Sequence, residues 1–315
     1  MCAALLLALL GGCVAAALPD LSQAHGPCLR NGKDGWCDFT REAAARSWTY
    51  SQMAANAYCD DAKEFALPTT IREVARLPER AVCELERRRY DTALTKDARK
   101  ALKDEIKSVT RDPREESGFA YVLFDRSDTP DGPPVERVIA FRGSDIAWSD
   151  WVHGNFGKEQ YAQAQALYEA QKKAAGVPVV VTGHSLGGAL AMQVSIDNPG
   201  ADAYVFNTSP RYTVPAEPND NVRLAIKERG DVLDLVRSRS RPVEQELIVI
   251  NCAPESSGLA DHKMQQLAEC LTWIASKDLP AAQTSVEANA IVAPPGEAAM
   301  QAWGRKPEPA ETEAE

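Results

Sequence analysis

Residues 177–191, Val-Pro-Val-Val-Val-Thr-Gly-His-Ser-Leu-Gly-Gly-Ala-Leu-Ala, decide how this chain is read. The valine run ending at Val181 lies between Pro178 and Gly183 and reads as a buried parallel strand. Ala189, Leu190, Met192, Val194 and Ile196 then supply an apolar helix. Ser185 falls at the sharp turn between them, giving G-x-S-x-G in the strand–turn–helix context that lifts a serine hydroxyl above a sheet. Gly183 and Gly187 have no Cβ to clash as the chain reverses. A strained, exposed serine is a poor structural choice and a good nucleophile.

Outward from this stretch the rhythm is strand, helix, strand. Residues 119–124 and 135–141 alternate like strands around the turn sequence Asp128-Thr129-Pro130-Asp131-Gly132-Pro133. A helix is expected over 158–174, strands over 202–207, 222–226 and 246–251, and a helix from 261 to about 275. This alternation predicts an α/β fold, a mainly parallel sheet covered by helices on both faces. Upstream, helices are expected at about 40–59, 69–90 and 92–108, so residues 19–110 read as an N-terminal helical extension packed on a core of 111–279. From 280 the chain is rich in Ala, Pro and Glu, and 280–315 reads as a mobile acidic tail.

The net charge of −10 argues against nucleic-acid binding. Residues 3–18 form an apolar run too short to span a bilayer and resemble a secretory signal, with 1–18 removed or processed. Leu10-Gly11-Gly12-Cys13 resembles a lipobox, which predicts membrane attachment through Cys13; cleavage after Ala15-Ala16-Ala17 is the competing reading. The chain is therefore expected in the cell envelope or outside the cell. Export permits disulfides, and neighbour pairing predicts 28–37, 59–83 and 252–270.

A serine hydroxyl needs a base, and the base needs an orienting carboxylate. The histidines are 25, 153, 184 and 262. When the order along the chain is Ser, acid, His, only His262 qualifies, with His153 as the fallback. The carboxylate should follow a strand at its carboxyl end. Asp231, after Gly230, is the choice, and Asp234 the alternative; Asp261 reads as a helix N-cap. Two donors for a developing oxyanion are expected from the amide of Leu186 and from Ser144, in the loop after Phe141-Arg142-Gly143. Arg142 reads as a structural ion pair. Trp148, Trp151, Phe156 and Tyr161 form an aromatic group, from which Trp148 and Phe156 are candidate substrate contacts. No Walker loop, dinucleotide fingerprint or H-E-x-x-H is present, so neither a metal nor another cofactor is expected.

Together these pieces resemble the class 3 (fungal-type) lipase family of α/β-hydrolases: residues 138–144, Asp150-Trp151 with Asn155, residues 181–189, Gly230-Asp231-Val232-Leu233, and Asp261-His262. The resemblance spans residues 119–275, about half the chain. It implies hydrolysis of lipid esters through an acyl-enzyme, with Ser185 as nucleophile, His262 as base, Asp231 as its orienter, and Ser144 and Leu186 at the oxyanion. The segment after Trp151 looks shorter than in the fungal lipases, and Leu233-Asp234 replaces a common Val-Pro. A thioesterase or acyltransferase on the same residues, or an inactive envelope binding protein of the same fold, are the rival readings.

Overall fold

A computed structural model describes residues 20–22, 35–59, 63–89, 91–110, 112, 117–143, 157–237 and 243–303. Eight strands form one sheet: β1 (Asp20–Ser22), β2 (Ile71–Leu77), β3 (Tyr121–Ser127), β4 (Pro134–Phe141), β5 (Val179–His184), β6 (Ala203–Phe206), β7 (Arg223–Glu228) and β8 (Glu246–Ile250). Their order across the sheet is β1-β8-β7-β6-β5-β4-β3-β2. From β1 to β4 every pairing is parallel, and β2–β3 and β3–β4 are antiparallel. The described helices are α1 (Asp38–Ala55), α2 (Arg80–Arg88), α3 (Lys96–Val109), α4 (Gly157–Ala175), α5 (Leu186–Asp197), α6 (Asp234–Arg237), α7 (Met264–Ala275), α8 (Pro280–Asn289) and α9 (Pro295–Trp303).

The inner runs of the central strands, 138–141 on β4 and 179–181 on β5, are apolar because both of their faces are covered. On β4, Val138 and Ala140 join one core with α1, α7 and α8, while Ile139 and Phe141 join a second core with α4 and α5. Helix α1 is wedged into the first core, with Ala44, Trp48 and Met53 buried. Two of its buried polar side chains bond to their surroundings, as burial favours. Gln52 Nε2 donates to Thr272 and Ser285, each at 2.9 Å, and Ser47 Oγ donates to the Ala43 carbonyl at 2.6 Å.

Two expectations need correction. Residues 69–90 are not one helix: Ile71–Leu77 is a strand paired antiparallel with β3, and only Arg80–Arg88 is helical. The charged residues of 71–77 belong to an edge strand, where charge suits the exposed side. Arg76 and Arg80 pair there with Glu73 and Glu64. Nor do residues 280–303 form a mobile tail: they hold α8 and α9, each beginning with proline, which suits a first helical turn. Helix α9 is docked by Glu297, 6% exposed, which accepts from the indole N–H of Trp36 at 3.2 Å and from that of Trp273, and pairs with Lys277. The proposed signal segment, Cys13 and residues 304–315 lie outside the described residues.

Two expected disulfides are present, Cys59–Cys83 and Cys252–Cys270. Cys37 is disulfide-bonded as well, and its expected partner Cys28 lies outside the described residues.

Candidate active site

The turn from β5 into α5 puts Ser185 at φ 56° and ψ −123°, a conformation that costs a non-glycine residue about 1–3 kcal/mol. The turn closes because its glycines are bare. A Cβ on Gly187 would lie 2.1 Å from the Phe141 carbonyl oxygen, and one on Gly183 would lie 2.4 Å from the backbone of Gly187. The Leu186 amide begins α5, so it is among the N–H groups a helix cannot satisfy itself.

The carboxyl ends of parallel strands share one edge of the sheet, and β7 and β8 send their loops there beside β5. Gly230, at φ +85°, turns the chain after β7 and presents Asp231. The loop after β8 reaches back to it: Gly258 donates to the Gly230 carbonyl at 2.9 Å, and Val232 donates to that of Gly258 at 3.2 Å. Asn207, fully buried, ties both loops together. Its Nδ2 donates to the Asp261 carbonyl at 3.0 Å, and its Oδ1 accepts from the Glu228 amide at 2.8 Å.

This scaffold brings together three of the residues selected from sequence. Ser185 Oγ is 2.9 Å from His262 Nε2, and His262 Nδ1 is 2.8 Å from Asp231 Oδ1. The side chain of Asp231 is fully buried. Burial pushes its carboxyl up, but the His262 imidazole, the Arg237 guanidinium and the Leu233 amide outweigh burial and hold it below the ordinary carboxylate value. Arg237 donates to Asp231 Oδ2 at 2.7 Å and to the Thr208 carbonyl at 2.7 Å, so the oxygen not facing His262 is also fixed. The alternative carboxylate, Asp234, instead pairs with Lys227 and Arg237.

Asp261 is not a helix N-cap: α7 starts at Met264, with Lys263 at the cap position, and the Asp261 carboxylate is buried beneath Gly230. Arg142 does form an ion pair, with Glu86 at 3.0 Å. Tyr161 donates its hydroxyl to the Arg211 carbonyl. Ser144, Trp148, Trp151, His153, Asn155 and Phe156 lie outside the described residues.

Sequence reasoning missed Arg237, Asn207 and Glu228. Glu228 Oε1 accepts from the amides of Cys252 at 2.6 Å and Ala253 at 3.2 Å, and so holds the loop leading to His262. Burial is the main force pushing the Glu228 carboxyl up to about 8, against those two amides and with Asp261 and Asp231 adding to the rise.

A serine held in a left-handed turn at a β5–α5 elbow, on a mainly parallel sheet with helices on both faces, defines an α/β-hydrolase fold. Within it, the chain belongs to the phospholipase-like family of the Tle-like phospholipase domain, whose match covers residues 53–220. That match includes Ser185 and ends before Asp231 and His262. Over 79 residues the chain is 36% identical to the extracellular phospholipase A1 of Serratia liquefaciens, 24% of each protein, so it spans about a quarter of that relative's length. Among solved structures, it is similar to the native Rhizomucor miehei lipase propeptide complex, with TM-score 0.31 and 12% identity over 63% of each chain. It is also similar to a CIB-like hydrolase of Thermoplasma acidophilum, with TM-score 0.29 and 14% identity over 48% of this chain and 89% of that one.

Proposed function

We propose that this chain is a serine hydrolase of lipid carboxylic esters, with phospholipids as the favoured class. The observation that carries the reading is the continuous hydrogen-bonded line from Ser185 through His262 to Asp231. Asp231 accepts a hydrogen bond from His262 Nδ1–H, which keeps the proton on Nδ1 and leaves Nε2 as the lone pair facing the serine hydroxyl. As Oγ attacks the ester carbonyl, Nε2 takes the hydroxyl proton. The oxyanion then forms against the amide of Leu186, at a helix N-terminus, with Ser144 as the second donor. His262 returns the proton to the departing alcohol, and water repeats the cycle on the acyl-enzyme. Trp148 and Phe156 are proposed to line the acyl site. The class 3 lipase motifs and the family membership both favour a lipid ester as substrate.

We further propose that the protein is exported, with Cys13 as a lipid attachment point. The two disulfides and the extracellular relative support export. Mass spectrometry of the mature N-terminus tests the lipid.

A fluorophosphonate probe is expected to label the wild type and not Ser185→Ala. The unlabelled wild-type enzyme is expected to release fatty acid from phosphatidylcholine vesicles faster than from emulsified triacylglycerol. A folded wild type that takes no label would overturn the hydrolase reading, and preference for triacylglycerol would overturn the phospholipid assignment.

A further inference from the structure

Tyr58 and His184 stand outside the line from Ser185 to Asp231, yet His184 is bonded to it and Tyr58 to His184. His184 Nε2 lies 2.7 Å from the backbone oxygen of His262, and the Tyr58 hydroxyl lies 2.6 Å from His184 Nδ1. The direction of each bond follows from the chemistry at the far end. A carbonyl oxygen only accepts, so Nε2 carries a proton. Burial first, and the neighbouring His262 second, hold the His184 imidazole well below its ordinary pKa, so the ring is neutral and has only that one proton. Nδ1 is therefore a lone pair, and the Tyr58 hydroxyl donates to it.

The surroundings fix Tyr58 in this position. It follows α1 and immediately precedes Cys59, which is bonded to Cys83 on α2. A Cβ at Gly143 would come within 2.4 Å of the Tyr58 hydroxyl and 3.1 Å of Ser185 Cβ. The hydroxyl thus lies between the end of β4 and the elbow, beside Ser185. The Tyr58 and His184 rings meet edge to face at 5.6 Å, and those of His184 and His262 lie 4.6 Å apart.

We infer that Tyr58 and His184 are positioning residues for His262: Tyr58 fixes the Nε2–H tautomer of His184, whose N–H grips the His262 carbonyl and sets the imidazole against Ser185. The inference rests on the proposed roles of Ser185 and His262. The residue inside the elbow thereby acts on the base through its backbone, and the reach extends to a tyrosine more than a hundred residues upstream. Without the Tyr58 donor, the His184 proton is free to move to Nδ1. Nε2 would then face the His262 carbonyl lone pair to lone pair, and the grip would become a repulsion.

The test combines kinetics on p-nitrophenyl butyrate with long-range 1H–15N NMR of histidine-labelled protein. The wild type is expected to show His184 as the neutral Nε2–H tautomer. Tyr58→Phe is expected to lower kcat about tenfold with KM within about twofold, the loss of one hydrogen bond's worth of orientation. His184→Gln, which still offers an N–H to the carbonyl, is expected to retain more kcat than His184→Leu. A wild-type His184 in the Nδ1–H or cationic form overturns the relay, as does an active Tyr58→Phe enzyme with unchanged kcat. If the fluorophosphonate fails to label the wild type, the hydrolase reading falls by itself. The tautomer then decides the relay alone: Nε2–H upholds it and Nδ1–H overturns it.

Discussion

Replacing Glu228 with glutamine should change how stability depends on pH. Glu228 is 3% exposed, and its carboxyl is raised from 4.5 to about 8, chiefly by burial. Between those values the folded chain holds a proton that the unfolded chain has released. Stability therefore falls as pH rises through this window, because the folded state alone bears the cost of the buried charge. At about 1.4 kcal/mol per pH unit the loss is about 5 kcal/mol across the whole window, and about 3 kcal/mol between roughly pH 5 and pH 7.5. A glutamine keeps an oxygen for the amides of Cys252 and Ala253 but cannot ionise. Its NH₂ would occupy the place of Oε2, a buried atom without a hydrogen-bond partner, at a cost of about 1–3 kcal/mol that does not vary with pH. The wild type should thus be the more stable protein near about pH 5 and the variant near about pH 8.5. Urea unfolding across that range, with the disulfides kept oxidised, measures the difference directly. A stability difference that stays flat within about 0.5 kcal/mol would refute the reasoning, since it would mean Glu228 titrates alike in both states.

Asp231→Asn should lower kcat about ten-thousandfold, because an amide can donate to Nδ1 and favour the wrong His262 tautomer; steady-state kinetics on a soluble ester checks it, and a loss below about tenfold contradicts it. Replacing both Cys252 and Cys270 with serine opens a loop of sequence separation 18 that contains His262. It should cost about 3 kcal/mol in urea unfolding. Gly187→Ala, which drives a Cβ to 2.1 Å from the Phe141 carbonyl oxygen, should cost about 3 kcal/mol or more. The same change at Gly176, where φ is +67° but the surrounding space is open, should cost only about 1 kcal/mol. Equal unfolding midpoints for these two alanine variants would show that close approach is not what the elbow glycine serves.

The elbow was legible in the sequence because its constraints are local. A valine strand, two bare glycines and a small-residue helix lie within twenty residues, and each requires the others. His262 was legible for a different reason, since chain order excluded every other histidine. Asp231 needed only the turn made by Gly230. Residues 71–77 were misread because helical and edge-strand surfaces share the same charged composition, and what separates them is pairing with β3, some fifty residues away. The segment from 280 was misread because its alanine and proline content suggested a disordered tail. The burial of Glu297 against Trp36 is a contact across 261 residues.

The groups that sequence reasoning missed share a physical cause. Asn207, Glu228 and Arg237 are polar residues at strand ends or in a short helix, and such residues are ordinarily solvated. Here each is buried or partly buried: Asn207 and Glu228 join the loops that carry Asp231 and His262, and Arg237 ties Asp231 to the Thr208 carbonyl after β6. A buried polar group is costly unless it is bonded, so it tolerates few alternative arrangements of its neighbours. Apolar packing alone would let the two loops slide by an ångström with little penalty, whereas a misplaced amide or guanidinium would lose a hydrogen bond. The precision of the 2.9 Å and 2.8 Å contacts at His262 is therefore set less by the three residues that make them than by this polar framework beneath. Its members come from separate strands and loops, so no periodicity or spacing along the chain announces it.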